Sequence, residues 1–189
     1  MTEVVLYHHV QGLTGGVRAF ADELREAGHT VHTPDLFDGR TFATIEEGMA
    51  FAREAGFAAL AERGVAAAEG LARDVVYAGF SFGVTIAQRL AQTRPGARGA
   101  LLVDSCLPVS EFGDAWPEGV PVQVHGKEGD EFFAEDLEAA RELAASSDGA
   151  ELFLYPGDEH LFADSSLPAY DPAAAALLTG RVLAFLDSV

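Results

Sequence analysis

Short runs of β-branched and other apolar residues alternate along the chain with longer segments whose apolar positions recur at helical spacing. The short runs lie at 4–7, 29–33, 75–78, 100–103, 120–124 and 152–155, and each predicts a strand. Helices are predicted over 17–27, 45 to about 71, 84–93, 133–145 and 172–186. The strand segments are near-continuous apolar runs, as in a sheet covered on both faces. Alternating strands and helices imply parallel pairing, because a parallel pair needs a long crossover. The expected architecture is α/β: a single, mostly parallel sheet of about six strands with helices on both faces.

Polar punctuation supports several boundaries. Asp171-Pro172 supplies an N-cap acceptor and a proline at the first helical position, where a missing N–H costs nothing. Thr44-Ile45-Glu46-Glu47 reads as a capping box. Gly48, Gly56 and Gly64 each weaken the long helix that follows by about 1 kcal/mol relative to alanine, so a break or bend is expected within it.

Composition narrows the function classes. The 189 residues are 49% hydrophobic, enough for one domain covering 1–189 with its own core. Thirty acidic against 12 basic residues give a formal charge of −18, which argues against nucleic acid or an anionic membrane as partner. A single cysteine, Cys106, allows no internal disulfide, and its expected role is that of a small buried residue. The opening MTEVVLYHHV has no basic segment before its apolar run, and no stretch approaches the ~18 apolar residues of a membrane span. A cytoplasmic protein is expected; its oligomeric state is left open.

The chemistry concentrates in Gly79-Phe80-Ser81-Phe82-Gly83, a Gly-x-Ser-x-Gly segment between a predicted strand and a predicted helix. Such a turn pushes the serine Oγ out of the sheet, and small residues on either side let strand and helix approach. The helix N-terminus beneath it favours an oxyanion, with the Phe82 N–H as first donor. Ser81 is therefore the candidate nucleophile. A serine hydroxyl needs a base, itself oriented by an acid. His160, in the loop after the last strand, is the candidate base. Two carboxylates compete for the acid: Asp130, after the strand at 120–124, and Asp104, after the strand at 100–103. The order Ser, Asp, His favours Asp130 and leaves Asp104 as the alternative. Glu128 and Glu131 read as solvated neighbours, and Asp158 as a turn former.

Other constellations are weaker. His8 and His9 end the first strand and point to opposite faces, so only one of them can easily face the site. No short His-x-x-x-His or Cys-x-x-Cys spacing supports a metal, and no cofactor is expected. Gly12, Gly15 and Gly16 lack the spacing of a nucleotide loop. Leu107, Phe112 and Trp116, with Phe37 and Phe42, either line a pocket or pack over the sheet edge.

Over nearly its full length the chain resembles the dienelactone hydrolase family of the α/β-hydrolase fold. The resemblance rests on His9-Val10-Gln11-Gly12-Leu13-Thr14, Thr33-Pro34-Asp35-Leu36-Phe37, the elbow, the Asp130 loop, and Pro156-Gly157-Asp158-Glu159-His160-Leu161-Phe162-Ala163. It implies a minimal α/β-hydrolase with no cap domain, acyl transfer through a Cys-His-Asp triad without a metal, and a second oxyanion donor at the Val10 N–H. Three positions depart from the family. Ser81 stands where well-known members have cysteine, which makes the nucleophile more dependent on its base. His9 stands where they have a glutamate, and is a candidate pocket residue. Asp164 replaces an arginine that helps bind a substrate carboxylate, so small neutral or cationic esters or lactones are expected. A hydrolase-fold binding protein without efficient catalysis and a thioesterase-type acyl hydrolase are the competing readings.

Overall fold

The computed structural model describes residues 1–189. Strands β1 (Glu3–Tyr7), β2 (Thr30–His32), β3 (Val76–Phe80), β4 (Gly99–Val103), β5 (Val122–Lys127) and β6 (Ala150–Tyr155) form one sheet in the order β2-β1-β3-β4-β5-β6. Every pairing is parallel. The helices are α1 (Gly15–Glu26), α2 (Ile45–Ala55), α3 (Phe57–Glu69), α4 (Phe82–Thr93), α5 (Glu131–Ser146) and α6 (Pro172–Ser188). There is no cap domain.

Two apolar layers flank the sheet. Val17, Phe20 and Leu24 of α1 join Leu178, Val182 and Leu186 of α6 over one face, against Val4, Leu6, Val76 and Ala78. On the other face Leu60, Ile86, Leu90, Phe133 and Leu143, from α3, α4 and α5, pack on Val5, Tyr7, Tyr77, Leu102 and Val124. Alternate residues of one strand thus serve opposite layers, which is why the strands read as continuous apolar runs.

The boundaries differ from expectation where local chemistry intervenes. The long helix predicted from 45 is two helices, because Gly56 adopts φ +87, outside the helical region and open to glycine at little cost. β5 begins at Val122, since Pro121 has no N–H for the ladder, although its carbonyl accepts from Ala100 N. Both predicted caps form: Thr44 accepts from Glu47 N, and Asp171 accepts from Ala173 N and Ala174 N.

The order of strands reverses beside β1, which passes to β2 on one side while β3 lies on the other. In an open parallel sheet such a reversal opens a crevice at the carboxyl ends of the strands. The loops after β1, β3, β4, β5 and β6 all empty at that edge.

Candidate active site

β3 carries the chain into the crevice and α4 takes it away, with Ser81 between them at φ 47, ψ −112. That conformation is strained for a residue with a side chain, and the surroundings hold it in place. The Ser81 N–H donates to the Val103 carbonyl at 2.7 Å, and its own carbonyl accepts from Val84 N. A Cβ on Gly83 would lie 2.3 Å from the Tyr7 carbonyl oxygen, and one on Gly79 would lie 2.4 Å from the Gly83 carbonyl group. Neither glycine can be enlarged without moving α4 off the sheet.

His160 follows β6, and its Nε2 is 2.9 Å from Ser81 Oγ. Its Nδ1 is 2.6 Å from Asp130 Oδ2. Because the carboxylate can only accept, Nδ1 carries the proton and Nε2 is free to accept from the serine hydroxyl. Asp130 is itself fixed, since it is the N-cap of α5 and its Oδ1 accepts from Phe132 N at 2.9 Å. One oxygen closes the helix and the other holds the imidazole.

Burial opposes protonation of His160. The Asp130 hydrogen bond and the negative charges of Asp104 and Asp130 outweigh it, and the pKa stands above the ordinary histidine value. The loop carrying His160 is anchored by Lys127, whose Nζ donates to Glu159 Oε2 at 2.5 Å and to Asp171 Oδ2 at 2.8 Å. Burial works against that ammonium charge, and its two carboxylate partners raise its pKa regardless.

Asp104, the alternative acid, follows β4 with φ 60 and is buried, and neither of its carboxylate oxygens has a close, well-aligned hydrogen-bond partner. Burial first, then the Asp130 charge, pushes its pKa up to about 7, with His160, the Leu161 backbone N–H and Lys127 pulling the other way. Asp104, Asp130 and His160 bring potential ligand atoms within 4.8 Å of one another. Both ring nitrogens of His160 are already engaged, one by Asp130 and one by Ser81, so the set has the connectivity of a proton relay rather than of a metal centre.

Ser81 and His160 open into a cavity of about 420 Å³. Ile45 and Met49 of α2 with Phe57, Ala58 and Ala61 of α3 form one apolar wall, and Phe82, Thr85, Phe132 and Val10 complete most of the lining. Gly48 brings α2 this close, because a Cβ there would lie 2.1 Å from the Val10 carbonyl oxygen. Asp104 and Asp136 are the lining carboxylates, and no lysine or arginine reaches the cavity. Val10 and Phe82, the expected oxyanion donors, both line it, and neither backbone N–H is taken up by another hydrogen bond of the chain.

The other expected pocket residues lie elsewhere. His9 is buried away from the cavity: its Nδ1 accepts from Gln11 N and its Nε2 donates to Asp164 at 2.8 Å. His8 is also buried and accepts from Leu36 N, so neither histidine faces the site. Phe37 is fully buried among Phe42, Phe51 and Phe82, which draws Phe42 into the same aromatic cluster. Leu107 is pinned to α4 by a two-way pairing with Gln88, and Gln92 holds the Val109 carbonyl. Trp116 is buried with its indole N–H on the Val120 carbonyl at 2.6 Å, and Phe112 ends the short 3-10 turn Val109–Glu111. This segment is packing over the flank of α4. Asp164 is likewise not a pocket group. It is buried, and it accepts from His9, from Thr14 and from the backbone and side chain of Ser166. The expectation that it repels a substrate carboxylate therefore fails.

Sequence reasoning missed the α2–α3 wall, Asp136, and Phe132, whose ring centroid lies 4.8 Å from that of His160. One signal was present. Phe132 and Phe133 are adjacent at a helix start and cannot share one face; Phe133 takes the core and Phe132 is left exposed beside the imidazole.

No protein with a curated description matches the sequence at a significant level. Among solved structures, a Klebsiella pneumoniae protein with a provisional dienelactone hydrolase name is 19% identical, with TM-score 0.76, over 100% of this chain and 88% of that one. A dienelactone hydrolase from Anabaena variabilis is 20% identical, with TM-score 0.73, over 99% and 86%. A dienelactone hydrolase-like promiscuous phosphotriesterase from metagenomic libraries is 18% identical, with TM-score 0.70, over 100% and 86%. At these identities the likeness establishes the α/β-hydrolase fold. The model of the dienelactone hydrolase family matches residues 1–189, the whole length described, and the chain belongs to that family of hydrolases.

Proposed function

We propose that this hydrolase cleaves small carboxylic esters or lactones through an acyl-enzyme on Ser81. The observation that carries the reading is the continuous chain from Ser81 Oγ to His160 at 2.9 Å and from His160 to Asp130 at 2.6 Å, at the mouth of an apolar cavity. His160 Nε2 takes the Ser81 proton as Oγ attacks the carbonyl carbon. Asp130 keeps the proton on Nδ1 and stabilises the imidazolium that forms. The Phe82 and Val10 N–H groups receive the oxyanion, with the N-terminus of α4 adding its positive dipole end. His160 then returns its proton to the leaving alkoxide. It next takes a proton from a water that attacks the acyl carbon, and gives that proton to Ser81 Oγ as the acid leaves.

The apolar wall suits an acyl or alkyl group. The lining carboxylates, with no basic residue beside them, favour uncharged or cationic substrates over anions. That preference now rests on Asp104 and Asp136 and no longer on Asp164. Because the reaction needs neutral His160 and its pKa is raised, kcat/KM on p-nitrophenyl acetate should climb with pH through a value above 6.5.

Ser81→Ala should lower turnover of that ester about 1,000-fold or more and leave the melting temperature within a few degrees of the parent. A fluorophosphonate probe should label the parent stoichiometrically and the variant not at all. Undiminished turnover in the variant removes Ser81 from the scheme, and a parent that does not label rejects the reading in favour of a binding protein on a hydrolase scaffold.

A further inference from the structure

Asp104 is the one buried side chain whose oxygens have no close, well-aligned hydrogen-bond partner. No hydrogen bond ties its carboxylate to a helix end or a neighbouring strand, and the backbone group that favours its charge is the N–H of Leu161, in the loop that carries His160. Desolvating such a group costs on the order of 1–3 kcal/mol, more when it is charged, so a compensating role is called for. Topology says where to look. β4 and β5 are neighbours with Val103 beside His125, so the residues following them emerge side by side, and the loop after β6 lays His160 across both. The Asp104 N–H donates to the His125 carbonyl at 2.8 Å, which holds the backbone that carries the carboxylate.

We propose that Asp104 is a second carboxylate for His160: it shares with Asp130 the task of stabilising the imidazolium, and so acts as a positioning residue through the histidine. The step requires no extra proton transfer. The proton moves from Ser81 Oγ to His160 Nε2, Nδ1 keeps its proton on Asp130, and the new positive charge lies between two carboxylates instead of against one. The charged groups around Asp104 are His160, Asp130 and Lys127, and Asp136 faces His160 from α5. Tyr155 has its hydroxyl on His125, whose own pKa is pushed down to about 3 by burial, so neither of these carries charge near neutral pH. With its pKa near 7, Asp104 is only part ionised in the resting site, and the arrival of the imidazolium favours its charged form. The cost of the orphan carboxylate is thereby offset only when the histidine is charged.

This inference rests on Ser81 and His160 acting as proposed above, and the experiment separates the two. The titration of the His160 ring proton is followed by NMR in the parent and in Asp104→Asn, with the signal assigned through His160→Gln. Loss of the second carboxylate should lower the His160 pKa by about one unit. The acid limb of kcat/KM for p-nitrophenyl acetate should move to lower pH by the same amount, and its plateau should fall about 10-fold. Asp130→Asn should retain activity that the double variant loses, a non-additivity expected only of two groups serving one partner. If Asp104→Asn does not fold, Asp104→Ser gives the same reading. An unchanged His160 pKa overturns the inference while leaving the hydrolase reading intact. A shifted pKa in a protein that neither labels nor turns over upholds the coupling and removes the hydrolase reading.

Discussion

Asp164 and Asp104 are both buried aspartates at the carboxyl edge of the sheet, and they differ in what surrounds their oxygens. Asp164 receives hydrogen bonds from His9, Thr14 and both donors of Ser166, and these outweigh the desolvation that would raise its pKa, leaving it lowered. Asp104 receives none that is close and well aligned, and burial raises its pKa to about 7. The first carboxylate knots the loop after β1 to the loop that carries His160. The second closes no helix or strand and faces His160, whose charged form it favours. Burial of a charge therefore says little about role until its donors are counted.

Four measurements would break or sharpen that contrast. Removing the knot should have the largest effect: Asp164→Ala strands buried His9 and Thr14 without their acceptor and should lower unfolding free energy by about 2–6 kcal/mol, read from urea curves. A loss below about 1 kcal/mol would mean that the knot holds nothing. Asp104→Asn should move stability the other way, a gain of about 1–2 kcal/mol at pH 8 alongside the slower chemistry, because a buried charge without partners is removed.

The pH dependence of the two variants should have opposite sign. With its folded pKa raised from 3.8 to about 7, Asp104 lowers the parent's stability progressively as pH rises from about 4 through about 7. The gain in Asp104→Asn should therefore be absent near pH 4 and grow across that window. Asp164, with its folded pKa depressed, contributes stability present above pH 3.8 and lost as pH falls through the lower folded value, so the deficit of Asp164→Ala should shrink in acid. Parallel stability curves for either variant and the parent would contradict this assignment. The smallest effect belongs to Thr14, which donates to Asp164 and caps α1 through Val17 N; Thr14→Ala should cost about 1 kcal/mol in the same assay.

The same contrast explains what could be read without coordinates. The elbow, Asp130 and His160 were legible because each is tied to a strand end, and strand ends follow from the apolar pattern. The break at Gly56 was half legible: the glycine cost was visible, and which of three glycines would yield was not. Asp164 misled because its partners His9 and Thr14 lie 155 and 150 residues away, and nothing in the sequence says that they converge on it. Phe37 and Trp116 stay ambiguous in the sequence for a related reason, since an aromatic beside a strand end suits a core and a cavity equally. The α2–α3 wall escaped notice because its side chains are those of any amphipathic helix, and only the approach permitted by Gly48 turns that face toward Ser81.

That wall divides the molecule's labour. Ser81, His160 and the two aspartates sit on turns fixed by the sheet, whereas Ile45, Met49, Phe57, Ala58 and Ala61 come from two helices meeting at Gly56. On the proposed reading, the groups that react and the surface that selects belong to different parts of the fold and can vary separately. Evolution, or an engineer, can reshape the accepted substrate by exchanging side chains along α2 and α3, and the machinery at the strand ends need not register the change.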